Sequence, residues 1–98
     1  MKGTIEGPYY SPEDNEFYGF HGKLRKVAPE VKKVYRYLYD NANKLMLRED
    51  IMDTAFGKDN HDVNKLYVYI SRLRRIIKLH TGSSIYNVRG KGYKLIMP

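Results

Sequence analysis

The sequence predicts an α+β domain in which short antiparallel strands come first, three helices follow and a β-hairpin closes the chain. Three observations carry that expectation. Residues 1–27 interleave aromatic residues with turn formers, residues 29–79 bear apolar stripes at helical spacing, and residues 84–97 hold two β-rich runs around Arg89-Gly90-Lys91-Gly92. Ninety-eight residues support one core, and two cores would each fall below the size that folds unaided. Residues 1–98 are therefore expected to form one domain.

Between Pro8 and Val27, Tyr9 and Tyr10 precede the turn-forming run Ser11-Pro12-Glu13-Asp14-Asn15, and Phe17, Tyr18 and Phe20 precede Gly22, Leu24 and Val27. This alternation predicts short antiparallel strands. Pro29 suits a first helical turn and Glu30 suits the positive end of the helix dipole. Val31, Val34, Tyr35 and Leu38 then mark a buried stripe that ends at Asp40-Asn41-Ala42-Asn43. A second helix is expected from Arg48 to Phe56, with Glu49 and Asp50 in its first turn and Gly57 as its stop. Leu47 occupies its cap position without a side-chain oxygen, so the first amides need another acceptor. The third helix is expected from Val63 to about Leu79. Val63, Leu66, Ile70, Leu73 and Ile77 form its core stripe, while Lys65, Val68, Arg72 and Arg75 face the other way, flanked by Asn64 and Tyr69. After the loop Thr81-Gly82-Ser83-Ser84, Ile85–Val88 and Tyr93–Met97 read as hairpin strands.

With 42% hydrophobic and 13% aromatic residues the chain can fold despite 30% charged residues. It has no cysteine, and its three histidines, expected on surface segments, show no ligand spacing, so neither a metal nor another cofactor is expected. No apolar run approaches a membrane span and the N-terminus opens no signal peptide, which predicts a cytoplasmic protein. The net charge of +7 points to a polyanionic partner, and its distribution sharpens the point. Residues 1–20 hold one base and four acids, residues 21–62 nine bases and seven acids, and residues 63–98 eight bases and no acid.

A short helix, a brief connection and a longer basic helix have the order of a helix-turn-helix, whose second helix enters the major groove of DNA. Arginine can donate two parallel hydrogen bonds to guanine there, which makes Arg72 the leading candidate base reader. Exposed arginines also arise from helix solvation alone. What tips the balance is the second positive arm, Arg89 and Lys91 in the hairpin, reached without an intervening acid. The Gly-Lys-Gly turn lacks the spacing of a phosphate-binding loop and leads into a strand. Glu49 and Asp50 are better explained as dipole partners than as a catalytic pair, so no enzyme is expected.

These residues resemble a known family. Ala28-Pro29-Glu30 with Leu38, Arg48-Glu49-Asp50-Ile51, Ala55-Phe56-Gly57, Val68-Tyr69-Ile70-Ser71-Arg72-Leu73-Arg74 and Val88-Arg89-Gly90-Lys91-Gly92-Tyr93-Lys94-Leu95 are similar, in order, to the C-terminal effector domain of OmpR/PhoB-type response regulators. The resemblance spans Leu24 to Met97 and implies a winged helix-turn-helix with an N-terminal antiparallel sheet and a C-terminal β-hairpin wing. It further implies that Arg72 and Arg74 approach DNA from the recognition helix, that Asn64, Lys65 and Tyr69 lie near phosphates, that Asn87 sits at the base of the wing, and that Arg89 reaches a minor groove. The loop 57–62 corresponds to a segment with which some relatives touch RNA polymerase, and pairing on repeated half-sites is a further expectation. Three features depart from the pattern: Leu47 at a position usually held by Ser or Thr, Tyr67 where a small or acidic residue is common, and no receiver domain ahead of the module in this sequence. The expected function is sequence-specific duplex-DNA binding in transcription regulation; the alternative is the same fold docking on RNA polymerase or another regulator without reading bases.

Overall fold

The computed structural model describes residues 7–98. Among them the chain runs through strands β1 (Tyr9–Ser11), β2 (Glu16–Tyr18) and β3 (Leu24–Arg25), helix α1 (Pro29–Asp40), strand β4 (Leu45–Leu47), helices α2 (Arg48–Phe56) and α3 (Val63–Ile77), and strands β5 (Ser84–Val88) and β6 (Gly92–Ile96). Two antiparallel sheets result, one in the order β1-β2-β3 and one in the order β4-β6-β5. The architecture is the winged helix-turn-helix expected from the sequence.

The three helices bury the stripes their spacing marks out. Val31, Val34, Tyr35 and Leu38 of α1, Ile51, Met52, Ala55 and Phe56 of α2, and Leu66, Ile70, Leu73 and Ile77 of α3 all belong to one buried cluster. Removing side chains of this size from water contributes about 1.5–3 kcal/mol each, which accounts for helix formation better than propensity does in segments this short. The first sheet joins the cluster through rings: Tyr10 and Phe17 both lie edge-on to Tyr35 of α1, with centroids 4.7 and 4.9 Å away. At the far end Ile85, Tyr93 and Leu95 of the hairpin close the core.

Four details differ from the sequence expectations. Strand β4 has no counterpart in them: Leu45-Met46-Leu47 gives an apolar run without alternation, and it becomes a strand because β6 lies beside it, pairing Met46 with Tyr93 and Leu47 with Gly92. Val63 is in phase with the α3 stripe but is 50% exposed, because it starts the helix beyond the edge of the core. The third helix stops at Ile77, where His80 N–H turns back to the Ile77 carbonyl at 2.8 Å, instead of running to Leu79. His80 is half-buried near Phe17 and is no surface residue, and its Nε2 is buried with no partner among the described residues.

Candidate nucleic-acid interface

The start of α3 is set by Asp62, whose carboxylate accepts the Lys65 N–H at 3.0 Å and so satisfies one of the unpaired amides of the first turn. One helical face is then committed to the core, and Asn64, Tyr67, Val68, Arg72 and Arg75 are left exposed on the rest. Arg72 carries its guanidinium 5.7 Å from the Tyr69 ring centroid, a cation–π distance that orients the side chain across the helix surface.

Lys65 and Tyr69 are less free. Lys65 Nζ lies 3.0 Å from Glu30 Oε1 and 4.3 Å from the Phe56 ring centroid, and the Tyr69 hydroxyl donates to the same carboxylate oxygen at 2.9 Å. Hydrogen bonds from Lys65 and then Tyr69 hold the Glu30 carboxyl below its usual pKa, and the same carboxylate raises that of the Lys65 ammonium. Tyr69 is pushed up chiefly by burial and then by Glu30. Glu30 thus fastens α1 to α3 and neutralises one cation at the edge of the basic face. Sequence reasoning missed this role because the partners lie up to 39 residues apart and leave no local pattern.

Arg74 is half-buried and donates from Nε to the Ile85 carbonyl at 3.1 Å, tying α3 to β5. The turn between β5 and β6 is closed by the Lys91 N–H donating to the Val88 carbonyl at 2.9 Å, with Gly90 at φ 74°. Arg89 and Lys91 are exposed at its tip, and Asn87 is exposed on β5 opposite Tyr93. The Lys91 carbonyl in turn accepts the Arg48 N–H at 3.1 Å. That bond satisfies the first amide of α2, where Leu47 offers no side-chain acceptor, and it pins the hairpin tip to the first turn of that helix. Gly92 completes the junction: it is buried, and a Cβ there would run into the Met46 carbonyl and lie 2.9 Å from Leu47 Cα.

Residues 23–95 match the family model described as transcriptional regulatory protein, C terminal. The chain belongs to this family. It is the OmpR/PhoB-type C-terminal DNA-binding domain of transcription regulators, a family that is not an enzyme class. Among curated proteins, the transcriptional regulatory protein RprY of Bacteroides fragilis is 32% identical over 77 residues, which are 78% of this chain and 33% of that protein. The chain therefore spans about a third of the length of that relative. Among solved structures, the DNA-binding domain of CpxR from E. coli superimposes with a TM-score of 0.74 at 20% identity, covering 98% of each chain. The DNA-binding domain of the response regulator AdeR, solved in complex with an intercistronic region, gives 0.70 at 21% identity over 98% of this chain and all of that one. At these identities the two structures speak for the fold.

The third helix and the hairpin are the elements expected at DNA from the sequence. Of the ten residues expected at the DNA, Val68, Arg72 and Arg75 share the exposed surface of α3 with Asn64 near its start, and Arg89 and Lys91 share the hairpin tip, with Asn87 exposed below it. Lys65, Tyr69 and Arg74 are engaged within the protein. Among the described residues no helix is long and apolar enough to cross a membrane.

Proposed function

We propose that this domain binds duplex DNA sequence-specifically, with α3 in the major groove, Arg72 hydrogen-bonding a base, and the hairpin wing carrying Arg89 into the neighbouring minor groove. The carrying observation is the stretch from Val63 to Pro98, with eight bases and no acid, which leaves Arg72 and Arg75 exposed on α3 and Arg89 and Lys91 exposed at the hairpin turn, two surfaces that the Arg74–Ile85 and Arg48–Lys91 hydrogen bonds join to one frame. A major groove roughly 12 Å wide accepts a helix, and a turn with a single arginine suits the narrower groove. AdeR, similar in fold, is seen with an intercistronic region. As a transcription regulator of the cytoplasm, the protein would present the exposed loop 57–62 to RNA polymerase and pair with a second copy on repeated half-sites. Those contacts are part of the same proposal.

Salt titration tests it together with one variant. Neutralising about five to seven phosphates gives a slope of log K against log salt of roughly −4 to −6. Arg72→Ala should cost about 1–3 kcal/mol on a selected site and relax preference at one base pair. A flat salt dependence, or an equal loss on selected and random duplexes for Arg72→Ala, refutes the assignment. Binding to RNA polymerase that needs neither Arg72 nor Arg89 would favour a docking module instead.

A further inference from the structure

The basic surface does not end on α3. Where the segment leading from β3 into α1 passes the C-terminal half of α3, Arg25, Lys26, Arg72 and Arg75 line one open hollow of about 310 Å3 over Val27 and Ile76. All four cations are exposed, and none of them forms an ion pair among the described residues. Arg25 is aimed at this edge: its Nη1 comes within 3.5 Å of the Ile76 carbonyl in the last turn of α3. Four unpaired cations around a shallow depression repel one another, and the repulsion is relieved by an anion seated between them.

We infer that this hollow is a seat for a phosphodiester group of duplex DNA, held by Arg25, Lys26 and Arg75 while Arg72 at its rim extends to a base, so that the end of the N-terminal sheet and the residue after it share in holding the nucleic acid. The inference rests on the reading of α3 as the helix that enters the major groove. Two of the four cations, Arg72 and Arg75, lie on the exposed surface of that helix, so a strand bordering the groove passes over its flank. Phosphate recognition suits the site. It needs charge and donors without deep burial, and the hollow offers guanidinium forks and an ammonium around an apolar floor. The duplex footprint is accordingly wider than the helix and wing alone provide, and the added part is blind to sequence.

The test compares wild type with Arg25→Ala/Lys26→Ala and with the charge-keeping Arg25→Lys/Lys26→Arg on a selected duplex and a random one, across salt concentrations. The alanine pair should make the salt slope shallower by roughly 1 to 2 and weaken both duplexes by the same factor, with base preference unchanged, while the charge-keeping pair should stay close to wild type. Equal unfolding temperatures would tie the change to the interface. If wild type binds and the alanine pair keeps its slope, the seat is overturned and the major-groove reading stands. If wild type binds no duplex, both fall. If the alanine pair instead loses binding only to an acidic peptide probe, the hollow belongs to a protein partner and the inference is wrong.

Discussion

At the scale of single residues, the basic face is tuned by a few neighbours that the charge count does not reveal. Glu30 holds Lys65 and Tyr69 together and subtracts one charge from the edge of the proposed interface. Glu30→Gln should therefore strengthen binding to selected and random duplexes alike and steepen the salt slope by up to about 1, since it leaves Lys65 free for a phosphate. Its cost in stability should be small, of the order of 0.3–1 kcal/mol for an acid lost from a first helical turn. Unchanged binding by Glu30→Gln would place Lys65 away from the nucleic acid. His80 sets a different dependence. Burial, with a smaller push from Arg25, lowers its pKa below the ordinary 6.5. The unfolded chain therefore takes up a proton before the folded chain does, and stability is complete above about pH 6.5 and declines as the pH falls from there towards the folded pKa. Unfolding free energies of wild type and His80→Phe, measured between pH 7.5 and 5, should diverge in their pH slopes, with wild type the steeper; parallel curves would contradict the buried neutral imidazole.

At the scale of elements, two glycines two residues apart in the hairpin region serve different needs. Gly90 has φ 74° with open space around it, whereas Gly92 meets the backbone of β4 where a Cβ would stand. Asparagine tolerates the left-handed region, so Gly90→Asn should be nearly neutral. Gly92→Ala should cost at least about 1–3 kcal/mol by forcing β4 and β6 apart. Thermal unfolding of the two variants decides the matter, and a Gly92→Ala protein as stable as wild type would mean that the β4–β6 approach is not constrained. The same junction marks what the sequence could and could not disclose. The helices were legible because Val31, Val34, Tyr35 and Leu38, or Leu66, Ile70, Leu73 and Ile77, repeat at a spacing that only a helix makes one-sided. Strand β4 was not, because Leu45-Met46-Leu47 is a strand only by virtue of a partner met some 46 residues later at Tyr93 and Gly92. The exposed cations Arg72, Arg75 and Arg89 followed from phase and turn chemistry. The engagement of Lys65 and Arg74, and the meeting of Arg25 and Lys26 with α3, depend on tertiary packing and have no one-dimensional signature.

At the scale of the molecule, α3 and the hairpin wing form two arms whose separation is fixed by contacts within the protein. Arg74 ties α3 to β5, Lys91 ties the wing tip to the first residue of α2, and the tight Gly92 approach locks the sheet beneath them. In the proposed complex Arg89, exposed at the tip, would then meet DNA at a set distance from the base pairs under Arg72. A·T-rich tracts have narrow minor grooves that concentrate negative potential, and an arginine held there senses groove width without identifying individual bases. The effect of Arg89→Ala should accordingly be graded by the flanking sequence: larger for a half-site followed by an A-tract than for the same half-site followed by G·C pairs. Arg89→Lys should restore only part of the difference, because an ammonium is more strongly hydrated than a guanidinium and leaves water less readily for a narrow groove. Affinities of the three proteins on the two duplexes at one salt concentration are sufficient. An identical loss on both would reduce the wing to a phosphate contact and leave base and shape reading to α3 alone.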